Sequence, residues 1–299
     1  MISVASGQAV DLSRAIIETI AFFDLFDYPL TTEEIDRMLL PKQSLREELG
    51  RLEQAGKLVN AGGYYFLPGR QELVAIRQRR YNYYFRKLKI AKRFGRWFAK
   101  LPTILAIYLV NGQGAHNLRE ASDIDLLIIT KPGTIWLSRL YCTGLVALLN
   151  KRPRPQDKRD KICLSFYLSA DQLNLQELFL KPQDPYFHFW LRNLRLLYDR
   201  GEINELFLLA NNLPNTKSLI SVETMKLTFP ATGWWSGLEA GARRLQLAIM
   251  NPALKKAAAK QSGGVIINNQ ILKLYLQDNR EKYRELYGQQ IQQIFKQNN

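Results

Sequence analysis

The tightest constraint on this chain is a pair of apolar runs separated by a glycine turn and closed by two aspartates. Ile104 to Val110 is apolar throughout and reads as a strand. Asn111-Gly112-Gln113-Gly114-Ala115 follows as a turn, where Gly112 lets backbone N–H groups approach a ligand closely. The second run, Ile124 to Ile129, sits in the stretch Ser122-Asp123-Ile124-Asp125 and onward to Thr130. Side chains alternate along a strand, so Asp123 and Asp125 point to one face. Carboxylates that close repel unless something positive lies between them. A hard divalent cation is the natural partner, Mg2+ or in its place Mn2+, because both take oxygen ligands and carry nucleotide phosphates with them. These are the parts for in-line phosphoryl or nucleotidyl transfer, in which positioning and cation charge do most of the work. The plain alternative is two aspartates capping a strand end in solvent.

The same α/β pattern continues downstream. Thr134 to Leu149 reads as a helix, Lys151 to Lys161 as a basic loop, and Ile162 to Leu168 as a third strand. From 171 to 299 the chain reads as mainly helical. Gly263 to Ile267 reads as a short turn and strand, and Gln270 to Asn298 as a polar amphipathic helix.

The first seventy residues have a different order. Ile16, Ile17, Ile20, Phe23 and Leu25 form a helical stripe. Thr31 with Glu34 fits a capping box opening a second helix to about Leu39, and Ser44 with Glu47 repeats it for a third helix to about Ala55. Gly56 stops that helix. Lys57 to Asn60 and Tyr64 to Leu67 flank Ala61-Gly62-Gly63, which reads as a hairpin. Three short helices and a hairpin make the winged-helix order, with a small helical domain as the alternative.

Between these regions lies a long helix over 71–99. No acidic residue occurs from Leu73 to Arg119, and over 77–100 ten Lys or Arg side chains interleave with Tyr81, Tyr83, Tyr84, Phe85, Phe94, Trp97 and Phe98. Such a helix can grip phosphates and stack on bases. It can equally turn its aromatics to a core and its charges to water. The formal net charge of +15 favours a polyanionic partner, whether nucleotide, nucleic acid or anionic lipid.

The segment from Gly112 to Asp125 resembles the DNA polymerase beta-like nucleotidyltransferase superfamily. Its motif is an apolar strand, Gly-Ser, a spacer and Asp-x-Asp in a second apolar strand. The wider chain is similar to a bacterial group of that superfamily in which a winged helix precedes the catalytic domain. Phe22 to Thr31, Ala115, Asn117, Ser122 to Thr130, Trp136, Arg139, Lys161 to Leu164, Ala210-Asn211 and Pro214-Asn215 carry that similarity. The resemblance implies Asp123 and Asp125 as catalytic metal ligands, and nucleotide contacts at Gly112, Gln113 and Ser122. Gln113 stands where the superfamily has Ser. The superfamily's third carboxylate has no clear counterpart, and Asp160 is the nearest substitute.

The expected fold is α+β: a winged helix over 1–70, a basic linking helix over 71–100, a nucleotidyltransferase-like mixed sheet over 101–180 and a helical region over 181–299. Two function classes stay open. One is a Mg2+-dependent enzyme moving a nucleoside monophosphate from a nucleoside triphosphate to an acceptor hydroxyl. The other is a nucleic-acid-binding or regulatory protein with a degenerate catalytic domain. Two cysteines, expected to be buried thiols, point to a reducing compartment without a zinc knuckle. Residues 1–10 lack a signal-peptide pattern, and Ile135 to Leu149 is too short to span a bilayer. A cytoplasmic protein without a membrane span is the expectation.

Overall fold

The chain begins with helices α1 (Leu12–Asp24), α2 (Thr32–Leu39) and α3 (Leu45–Gln54) and a hairpin of β1 (Val59–Ala61) and β2 (Tyr64–Phe66). The computed structural model describes residues 12–39, 44–110, 117–213, 235–260 and 263–296. The capping box at α2 forms in both directions. Thr31 N–H donates to Glu34 Oε2 at 3.1 Å, and Glu34 N–H donates to Thr31 Oγ1 at 3.3 Å. The box expected at Ser44 does not form. Ser44 has ψ near 10°, outside the extended backbone a capping serine adopts, and makes no side-chain cap bond. Gly62 and Gly63 take φ of 60° and 82°, the left-handed pair that a two-residue hairpin turn requires.

Helix α4 (Glu72–Phe98) then runs along one face of a six-stranded mixed sheet. The sheet is built from β3 (Ile104–Leu109), β4 (Ile124–Thr130) and, after helix α5 (Ile135–Leu148), β5 (Ile162–Ser169). Helix α6 (Pro185–Arg192) leads to β6 (Arg195–Asp199), and α7 (Ile203–Ala210), α8 (Trp235–Ile249) and α9 (Pro252–Ala259) follow. Strands β7 (Val265–Ile267) and β8 (Ile271–Leu274) and helix α10 (Arg280–Lys296) complete the chain. Strand order is β6-β3-β4-β5-β8-β7. Among the described strands only β4 and β5 are parallel, joined by the α5 crossover. Such a crossover is what parallel neighbours need.

Alternation along the strands splits the interior into two layers. Ile124, Leu126, Ile128 and Tyr167 face α4, α5 and α8, while Leu127, Ile129, Phe166 and Leu168 face α6 and α7. Two expectations change here. The helix expected from Gln270 begins only at Arg280, because Ile271 to Leu274 pair as a strand with both β5 and β7. The sheet also extends beyond 101–180: β6 and β8 come from segments expected to be helical or unassigned, and β7, which falls within the short strand expected at Gly263 to Ile267, joins the same sheet. These strands are three to five residues long. Their conformation is set by pairing, β6 with β3, β8 with β5 and β7 with β8, rather than by a periodicity of their own.

The N-terminal helices do not close a core alone. Phe22 stacks on Phe189 of α6 with centroids 4.5 Å apart, and Tyr287 of α10 meets the same ring edge-on at 5.8 Å. Among the described residues no helix is long and apolar enough to cross a membrane.

Candidate functional site

Strand β4 places Asp123 and Asp125 at its entrance, and the parallel neighbour β5 brings a third group to them. Asp125 lies opposite Cys163 in register. One ligand atom each from Asp123, Asp125 and Cys163 lies within 4.8 Å of the others. An irregularity in β5 keeps the thiol there. Between Asp125↔Cys163 and Leu127↔Phe166, β5 carries one residue more than β4. The bulge leaves Ser165 beside Cys163, with Sγ and Oγ 3.1 Å apart, before Phe166 returns to the inner layer. Cys163 was expected to be a buried core thiol and is instead half-buried at the aspartates; Cys142 is the buried one.

Electrostatics single out this cluster. Burial, and secondarily the neighbouring Asp123, push the Asp125 carboxyl up to about 7. Burial also raises Asp123, opposed by Lys158 and Lys87. The Cys163 thiol is raised by burial and then by Asp125, so it stays neutral. Two carboxylates that resist ionising together are a good donor set for a divalent cation, which removes the repulsion. Two oxygens suit Mg2+ or Mn2+, whereas a neutral thiol is a soft, weak third donor.

The remaining expected residues divide. Gly112 and Gln113 lie outside the described residues. The Ser122 hydroxyl turns back to donate to the Arg119 carbonyl at 2.9 Å, so it stabilises the local turn. Asp160 is not the third carboxylate. Its side chain pairs with Lys87 and Arg86, each at 3.0 Å. Against the effect of burial, those two cations hold its carboxyl below the ordinary range. Arg139 donates to Gln246 Oε1 of α8 at 2.5 Å, and among the described residues no ion pair engages it.

Sequence reasoning did not anticipate Lys87. It is fully buried, and its ammonium donates to the carbonyls of Glu120 at 3.1 Å and Ser122 at 2.5 Å as well as to Asp160. One side chain of α4 therefore ties down both the loop entering Asp123 and the loop entering Cys163. The available signal was its place among ten basic residues, which pattern alone cannot rank. Of the basic loop 151–161, Lys158 is the member whose charge acts on both aspartates. Arg159 and Lys161 instead pair with Glu120 and Asp157 at 2.8 and 2.9 Å.

Beside Asp125 a cavity of about 160 Å³ opens, walled by Phe166, Trp190, Tyr186, Tyr275 and Lys273. Burial brings the Lys273 ammonium down to about 8. A cavity of this size holds one aromatic ring. In comparisons with protein-family models, curated proteins and solved structures, nothing matches this chain.

Proposed function

We propose that this protein is a nucleotidyltransferase with an N-terminal winged helix. It would move a nucleoside monophosphate from a nucleoside triphosphate to an acceptor hydroxyl. The observation that carries the reading is the pair Asp123 and Asp125, on one face at the entrance of β4, with burial and mutual repulsion raising Asp125 to about 7. In this reading the helices and hairpin of residues 12–67 are the winged helix, and β3, β4 and β5 are the core of a nucleotidyltransferase sheet.

Asp123 and Asp125 would hold Mg2+ or Mn2+, which when bound supplies charge neutralisation for the triphosphate. Lys158 draws the phosphates toward the aspartates. Lys87 and Asp160 hold the two loops in place, so the carboxylates need not reorganise when substrate arrives. The aromatic walls beside Asp125 exclude water and receive one ring of the substrate. Free thiols suit a cytoplasmic setting.

The test is transfer of an α-labelled nucleotide, with Mg2+ or Mn2+ present, alongside cation-dependent nucleotide binding. Wild type is expected to bind and transfer, and Asp123→Asn with Asp125→Asn to lose both. Cation-independent binding that is equal in both proteins overturns the reading. A second reading, a nucleic-acid-binding or regulatory protein with a degenerate catalytic domain, is favoured by Cys163 standing at the third position. Cation-dependent binding without transfer to any acceptor selects it.

A further inference from the structure

Helix α4 divides its positive charge between two tasks. Along the helix as far as Lys87, the side chains of Arg77, Arg80, Arg86 and Lys87 all turn toward the fold. Arg77 pairs with Glu34 at 2.7 Å beneath the Tyr28 ring, and Arg80 donates to the carbonyls of Phe26 and Asp27. Arg86 and Lys87 hold Asp160. In the second half, Lys89, Lys92 and Arg96 are exposed, and among the described residues no hydrogen bond or ion pair engages them. Together with Phe85, Leu88 and Leu197 they line a groove of about 480 Å³, without an acidic residue in its wall.

The groove has an apolar floor and an aromatic lip. Leu88 is buried and Leu197, on the adjoining edge strand β6, is half-buried, while Phe85 is 53% exposed. The rings of Tyr81 and Tyr84 brace Phe85 edge-on at 4.9 and 5.4 Å. Phe85, Lys89, Lys92 and Arg96 recur at helical spacing, so they form one stripe about 16 Å long.

From the stripe of Lys89, Lys92 and Arg96 beside the exposed Phe85 ring, we propose that this groove binds single-stranded nucleic acid, with phosphates on the three cations and a base stacked on Phe85. Cations that track a backbone beside an aromatic platform are the recurring recipe for strand binding without sequence preference. A duplex, whose bases are already stacked, cannot use the ring. An acidic protein segment would use the cations but gain nothing particular from the aromatic face. The inference does not depend on the nucleotidyltransferase reading.

The experiment is fluorescence anisotropy of labelled oligo-dT and oligo-U titrated with the full chain across a range of salt. Each phosphate neutralised on a single strand contributes about −0.7 to the slope of log affinity against log salt. The triple variant Lys89→Gln, Lys92→Gln, Arg96→Gln is expected to make that slope shallower by roughly 2. Phe85→Ala is expected to weaken binding at least about fivefold while leaving the slope unchanged. All these positions are on the surface, and unchanged thermal midpoints confirm that the variants fold. Comparison of oligo-dT with oligo-U tells DNA from RNA. Binding and slope unaltered in the triple variant overturn the proposal. So does full retention of affinity in Phe85→Ala with equal binding of polyglutamate, which identifies an acidic protein as the occupant.

Discussion

At the scale of single residues, two half-buried titratable groups give opposite dependences on pH. Asp125 titrates near 7 in the native chain against an ordinary value of 3.8. Between those values the native state keeps a proton that the unfolded chain has released. More protons bound in the native state means that stability falls as pH rises through that window. Without added cation, Asp125→Asn is therefore expected to stabilise the protein by about 1–3 kcal/mol near pH 8, read by urea unfolding. The same variant should lose cation-dependent nucleotide binding, a gain in stability matched by a loss of function. Equal unfolding midpoints for variant and parent near pH 8 contradict the burial assigned to this carboxyl. His188 behaves conversely. Burial, and then Arg192, bring its imidazole from 6.5 down to about 4. Within that window the unfolded chain binds the extra proton, so this contribution is complete above pH 6.5 and is lost as pH falls toward 4. His188→Gln is expected to flatten the acid side of the stability profile by about 1–3 kcal/mol. A profile that keeps its full steepness in the variant assigns the acid loss to other groups.

At the scale of elements, what was legible in the sequence follows from how each element is stabilised. Helix α4 and strands β3, β4 and β5 are long and strongly patterned, and their bounds fall within a residue or two of the pattern. Strands β6 and β8 were hidden, because Arg195 to Asp199 and Ile271 to Leu274 become strands by hydrogen-bonding to β3 and β5, whereas β7 falls within the short strand legible at Gly263 to Ile267. The site divides in the same way. Asp123 and Asp125 are neighbours in the chain and could be read together. Cys163 joins them through the parallel register of β4 and β5, and Lys87 through the packing of α4, neither of which spacing records. Lys87 makes the claim testable. Lys87→Met removes the donor shared by Glu120, Ser122 and Asp160, and is expected to cost about 2–4 kcal/mol in urea unfolding. Arg93→Met, at an exposed position on the same helix, is expected to change stability by less than about 0.5 kcal/mol. Equal costs for the two variants refute the idea that Lys87 spends its charge on the fold.

At the scale of the whole molecule, α6 belongs to two cores at once. Its Phe187 and Trp190 face the cavity beside Asp125, while Phe189, between them, packs between Phe22 and Phe23 of α1. Helix α10 repeats the arrangement. Arg280 at its start pairs with the buried Asp184 at 2.9 Å below the cavity, and Tyr287 further along reaches Phe22. The N-terminal helices therefore complete their core with side chains supplied by the far end of the chain. A winged helix with its own closed core would unfold independently of the sheet. The N-terminal helices here leave Phe22, Phe23 and Phe26 uncovered when α6 and α10 are lost, an exposure too apolar for three short helices to sustain. The molecule is expected to unfold in one calorimetric transition. Phe189→Ala should lower the stability of the whole chain by about 3–5 kcal/mol, the usual cost of deleting a buried aromatic ring. The single transition should move without splitting. Two separate transitions in the parent, or a Phe189→Ala shift confined to one of them, would mean that the aromatic contacts join two independently stable units. One moving transition would mean that the site-bearing sheet and the N-terminal helices share a cooperative core, so that a ligand on either is felt in the stability of both.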